Sequence, residues 1–218
     1  MMKFLSRGIL VGMVLTLGGC AVAHSDVNYD AFRESKPASL LVLPPVNHSV
    51  EPGAAAAVLA QVTYPLAESG YYVVPVGVME ETFRQNGMMA AEEAHAVPAA
   101  KLREIFGADA ALYMTVKQYG STYKVVSSMI TVELEASLVD LRSGANLWRG
   151  ATTVVHGGDN NNNNSLIGML VGAMVAQIAN TLSDRSYDVA GMADTQLLYA
   201  GRPGGMLFGP RSPHYSLQ

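Results

Sequence analysis

The chain has 218 residues, 50% of them hydrophobic and only 15% charged, with a formal net charge of −4. An acidic balance of 14 basic against 18 acidic side chains gives no electrostatic footprint for nucleic acid or for an anionic membrane surface. One cysteine in the whole sequence leaves neither an intramolecular disulfide nor a CxxC metal or redox site.

In chain order, residues 1–19 comprise a short basic start with Lys3 and Arg7, an apolar run from Gly8 to Leu17, and a small-residue end, Gly18 and Gly19. This reads as a secretory signal peptide. Its apolar core falls short of the roughly 20 residues a spanning helix needs. The tetrad Leu17-Gly18-Gly19-Cys20 resembles the bacterial lipobox. That resemblance implies cleavage between Gly19 and Cys20, diacylation of the Cys20 sulfur and acylation of the new amine. Each buried methylene contributes about 0.8 kcal/mol, and one chain alone binds only marginally, so several chains on Cys20 make a stable membrane tether. Ala21, not aspartate, follows the cysteine. By the same resemblance this implies sorting to the outer membrane; the periplasmic face is the expected side, with surface exposure as the alternative.

Cleavage leaves 199 residues with 12 basic and 18 acidic side chains, a formal charge of −6 and enough chain for one core. The expected division is a signal peptide over 1–19, a lipidated tether over 20–36, an α/β domain over 37–200 and a Gly/Pro-rich tail over 201–218. The high apolar content leads us to expect that a partner covers part of the surface.

Within the domain, Leu40 to Leu43 form a continuous apolar run ended by Pro44 and Pro45, the pattern of a strand buried on both faces. An alanine-rich helix is expected over 54–67, opened near Pro52, then a strand over 71–77. Pro98 opens a further helix with Leu102, Ile105 and Phe106 on one face and Gly107 at its C-cap. The stretch "DAALYMTVKQYG" supplies a third strand, so the first half alternates β-α-β-α-β. The second half changes period. Ile130, Val132, Leu134, Ala136 and Leu138 alternate with Thr131, Glu133, Glu135 and Ser137, as in a half-exposed antiparallel strand. "DLRSGANLW" then reverses the chain at Gly144 into a returning strand over 147–155, where Trp148 is expected to pack across strands.

A polar run follows, with Asp159 and the asparagines at 160–164, and lacks the carboxylate repeat of a calcium loop. Next comes "SLIGMLVGAMVAQIANTL", with Gly168, Gly172 and Ala176 every four residues. We expect a helix laid on the sheet, since the uninterrupted apolar part, 166–176, is too short to span a bilayer. Part of its face is open to oligomer contact. The end, from Gly201, is an ordered loop or a tail, with no helix past Pro203.

The sequence has no GxSxG, Walker, GxGxxG or HExxH motif. The five histidines, His24, His48, His95, His156 and His214, are scattered singly, and the pairs Glu80-Glu81 and Glu92-Glu93 point in different directions on a helix. We therefore expect no catalytic, metal or cofactor residue, and no enzyme.

The lipobox at Cys20 together with "LLVLPPVN", "GADAALYMTV", "LVDLRSGANLWRG" and "GPRSPHY" resembles a family of small Gram-negative outer-membrane lipoproteins of unassigned function. The "VLPP" strand and "RSG" hairpin are also similar to those of the curli-secretion lipoprotein, the lipoprotein activators of penicillin-binding proteins and the N-terminal domain of TolB. That resemblance implies a single α/β (α+β) domain with a mixed sheet, an anticodon-binding-like fold used for protein docking. The function it implies is a tethered, non-catalytic interaction module in envelope assembly or secretion, with other envelope proteins as partners, a curli-secretion-like lipoprotein or a second copy of the chain among them. A regulator of peptidoglycan synthesis and a small-ligand binder are the alternatives.

Overall fold

Leu40, Leu41, Val42 and Leu43 are all fully buried because β1 (Ser39–Val42) is flanked on both sides by parallel partners. These are β3 (Tyr72–Val73) and the first residues of β4 (Ala110–Lys124). In this computed structural model residues 27–124, 127–157 and 182–218 are described, with side chains given outside 121–128 and 182–184. The short β2 (Val46–Asn47) pairs parallel with β4 past the proline pair. β5 (Ser127–Asp140) and β6 (Asn146–Gly157) then add antiparallel, giving a six-stranded sheet of order β3-β1-β4-β5-β6 with β2 on β4. The expected single domain with a mixed sheet is thus the observed fold.

Its helices are α1 (Asp30–Ser35), α2 (Ala54–Leu59), α3 (Thr63–Glu68), α4 (Val76–Gln85), α5 (Ala91–His95), α6 (Ala99–Phe106) and α7 (Leu182–Leu198). The one helix expected over 54–67 divides into α2 and α3. Pro65 has no N–H to give to Gln61, so a continuous helix would lose that bond. The strand expected over 71–77 is cut short because Pro75, with ψ 123°, leads instead into α4. Gly107 closes α6 in the left-handed region, φ 67°, and Gly144 turns the β5–β6 hairpin at φ 74°.

The sheet divides the core in two. Leu112, Met114 and Val116 of β4, Leu134 and Leu138 of β5 and Trp148 of β6 lie on one side, under α7, which itself packs on α2 and α3. α4, α5 and α6 lie on the other side: α4 contacts β1, Phe83 meets Phe106 at 5.5 Å, and His95 reaches Tyr113. Placing the two crossovers on opposite faces gives both the same hand.

Residues 27–36 and 201–218, expected as tether and tail, both pack on the domain. Phe32 of α1 is buried, and the Ser35 hydroxyl donates to Asp140 at the β5–β6 turn. The C-terminal segment crosses the domain as a strap. Tyr71 donates its hydroxyl proton to the Leu207 carbonyl (2.5 Å), Gly209 N–H to Ser69 O (2.8 Å), and the Ala200 N–H to Ser69 Oγ (2.9 Å). Trp148 Nε1–H donates to Gly204 O (3.0 Å), and Tyr29 OH to Gly205 O (2.6 Å). Gly70, at φ 93°, is held so closely that a Cβ there would lie 2.4 Å from the Ser212 nitrogen.

The sheet has two unlike ends. At one, Ala110 pairs with Asp140, beside α1 and the strap. At the other, Lys124 pairs with Ser127. The signal peptide, Cys20, the asparagine run at 160–164 and all but Leu182 of the helix expected over 165–182 lie outside the described residues.

Candidate interaction surface

Alternation along β4, β5 and β6 sends Tyr113, Thr115, Glu133, Glu135, Ser137, Arg149, Ala151 and Thr153 to the side opposite α7. α4–α6 cover this side over β1 and β4 only. Its boundary is His95, whose ring stands edge-on to Tyr113 at 5.1 Å and whose Nε2 donates to Pro44 O at 2.9 Å. Burial lowers the imidazole pKa, with the Pro44 bond and Glu92 opposing it, and the ring joins α5 to the sheet through its contacts with Pro44 and Tyr113.

Beyond Tyr113 no described residue covers the face. Ser137 lies between Tyr113 and Arg149, and Glu135 between Thr115 and Ala151. Lys117 and Glu135 approach to 3.6 Å, both exposed, an ion pair of little energetic weight. The surface forms an open concavity of about 830 Å³ lined by His95, Tyr113, Thr115, Glu135, Ser137 and Arg149. It offers a cation, a carboxylate and hydroxyls across a rigid antiparallel platform, a set suited to a polar protein surface.

Two other carboxylates are buried. Asp140 is buried at the near end, and burial alone would raise its pKa. Hydrogen bonds from Ser35 Oγ (2.5 Å), from the Ser143 N–H (2.7 Å) and hydroxyl (3.0 Å), and from the Arg142 N–H (2.8 Å) outweigh that and hold it well below the ordinary carboxylate range. A folded-state pKa below the unfolded one makes this stabilisation complete above about pH 4 and lost as pH falls toward the folded value. The stability gap between the wild type and Asp140→Asn is therefore expected to close below pH 4 in urea midpoints. A gap that stays constant to pH 2.5 would contradict the assignment. Asp194 of α7 is the opposite case. It is fully buried, neither carboxyl oxygen has a partner among the described residues, and burial pushes its pKa well up.

Among the described residues no three His, Cys, Asp or Glu side chains come together to hold a metal. His48, His95, His156 and His214 fall on separate elements, and Glu81 is taken up by Arg84 and Gln85 of its own helix. Glu93 accepts from the Met89 and Ala90 N–H groups ahead of α5. Gly19, Cys20 and Asp159 lie outside the described residues.

The family model described as "Putative lipoprotein GNA1162-like" matches residues 27–211. The chain belongs to the GNA1162-like family. It is 48% identical, over 94% of its own length and 96% of the relative's, to the "Putative lipoprotein NMB1124/NMB1162" of Neisseria meningitidis serogroup B. The crystal structure of lipoprotein GNA1162 from Neisseria meningitidis is 50% identical, covers 66% of this chain and all of that one, and superposes with a TM-score of 0.55. A distant likeness, 13% identical with a TM-score of 0.44 over 73% of this chain and 87% of the other, is to the PelC dodecamer of Paraburkholderia phytofirmans. GNA1162-like proteins are lipoproteins by family description, which implies attachment to a membrane of the cell envelope.

Proposed function

We propose that this GNA1162-like protein is cut between Gly19 and Cys20, acylated on Cys20, and held at the periplasmic face of the outer membrane. There it is a non-catalytic docking module for another envelope protein. The observation that carries the docking role is the bare half of the sheet. Among the described residues, α4–α6 stop at His95 and leave Glu135, Ser137 and Arg149 uncovered on the antiparallel strands. Anchoring supports the same reading, since confinement to a thin layer raises effective concentration and lets a modest affinity suffice.

The test is cross-linked affinity capture from solubilised envelope with the wild type, Arg149→Glu on the face, and Lys101→Glu on the exposed side of α6. Recovery of a reproducible envelope partner is expected to fall ~10-fold or more with Arg149→Glu, the scale of a lost interface anchor, and to be unchanged with Lys101→Glu. Equal recovery by both variants would remove the face from the account. A peptidoglycan synthase as the captured protein would identify the docking role with regulation of wall synthesis.

A further inference from the structure

The chain enters the domain at the same end that carries the β5–β6 turn. Ser35 of α1 bonds Asp140 at 2.5 Å, Arg142 Nη2–H donates to the Ser35 carbonyl at 2.6 Å, and Tyr29 is fixed to the strap at Gly205. The described domain begins at Val27, seven Cα steps from Cys20. Seven steps span at most about 25 Å when fully extended.

The sheet is longer than that leash. β4 runs from Ala110, beside the root of the leash, to Lys124 at the far end, 14 steps of about 3.3 Å, or roughly 45 Å. α7 runs back along it. Its Tyr187 carbonyl accepts from Gln61 in the turn between α2 and α3, while Leu197 lies over Gly150 and Ala200 bonds Ser69. Gly157, where β6 ends opposite Met129, therefore lies at the end away from the root.

Resting on the proposed acylation of Cys20, we infer that the end formed by α1, the β5–β6 turn and the strap is the membrane-apposed surface, and that its partner is the phospholipid headgroup layer. The inverted stance is sterically closed. With the far end on the bilayer, the root would stand roughly 45 Å above the surface, beyond the reach of a leash of about 25 Å. The near end does not oppose approach. Its exposed charges are mixed, Arg33, Lys36, Arg142 and Arg202 beside Asp30 and Glu34, with Asp109 half-buried, so it carries no acidic excess. The far end is then the part presented to the periplasm.

The acylated full-length protein, reconstituted in phosphatidylethanolamine–phosphatidylglycerol vesicles doped with a headgroup-linked quencher, tests this. Once Cys20 carries its thioether, an engineered cysteine is the sole free thiol. Fluorophores go on Glu34→Cys in α1 or on Val155→Cys, an exposed position about 30 Å along the sheet from the Asp140 turn. We expect several-fold stronger quenching at position 34 than at 155. Equal quenching, or stronger quenching at 155, in vesicle-bound protein would overturn the orientation alone. Failure of the protein to associate with vesicles would overturn the anchor and the orientation with it.

Discussion

Replacing Cys20 by serine is expected to move the protein from the membrane fraction to the soluble fraction while leaving its folding stability unchanged. The sulfur is the proposed acceptor of the first fatty chains, and a hydroxyl at that position gives the maturation chemistry nothing to act on. One acyl chain holds a protein to a bilayer with an association constant of only about 10⁴ M⁻¹, and each methylene of a further chain adds about 0.8 kcal/mol. Losing all of them outweighs any contact the domain makes with headgroups. Every residue of the described core lies at or after Val27, and a thiol-to-hydroxyl change at position 20 alters none of them. Carbonate-washed membranes and a urea midpoint check both halves. Cys20→Ser protein retained in washed membranes after loss of residues 1–19 would refute the tether, and a lowered midpoint would show that Cys20 has a role inside the fold.

The second large effect is expected at Trp148. Its ring lies across Gly150, where an added Cβ would sit 2.3 Å from it, and its Nε1–H holds the Gly204 carbonyl. Truncating a buried tryptophan costs about 3–5 kcal/mol through lost transfer energy and the cavity left behind. Trp148→Ala also frees the carbonyl next to Gly205, the acceptor of the Tyr29 hydroxyl, so the strap and the root of α1 loosen together. Trp148→Phe keeps most of the packing and loses mainly the hydrogen bond, about 1 kcal/mol. Denaturant unfolding followed by circular dichroism separates the two. A loss below about 1 kcal/mol for Trp148→Ala would mean that the strap is not anchored there.

The strands were legible because burial leaves a period. β1 shows as an unbroken apolar run, and β5 as strict alternation in which Glu133, Glu135 and Ser137 mark the open face. Gly107 and Gly144 were legible through the positive φ their turns require. α1 was not, because six residues with a single buried aromatic, Phe32, carry no periodicity and a tether reads the same. α7 was hidden by composition. Its buried row of Val189, Ala190, Ala193 and Leu197 is weakly hydrophobic and is interrupted by the buried Asp194, a residue that predicts a surface. The strap was hidden for a different reason. Glycine and proline signal irregular backbone, while the contacts that order it come from Tyr29, Ser69, Tyr71 and Trp148, all distant in sequence. The same holds for the candidate face. Its wet row was visible in β5 alone, but the boundary at His95 depends on where α5 ends against Tyr113.

The orientation changes what the domain can reach. With seven Cα steps between Cys20 and Val27, a reach of at most about 25 Å and a sheet of roughly 45 Å put the far end at most about 70 Å from the acyl chains. A partner must meet the protein within that layer, which favours a neighbour on the same membrane.

The most direct measurement of the central claim is the intact mass of the mature protein extracted from membranes, with its N-terminal peptide fragmented. The account predicts a chain that begins at Cys20, with two fatty chains linked through the sulfur and one on the amine. A mature protein that still carries residues 1–19, or one that begins elsewhere with Cys20 unmodified, would contradict it.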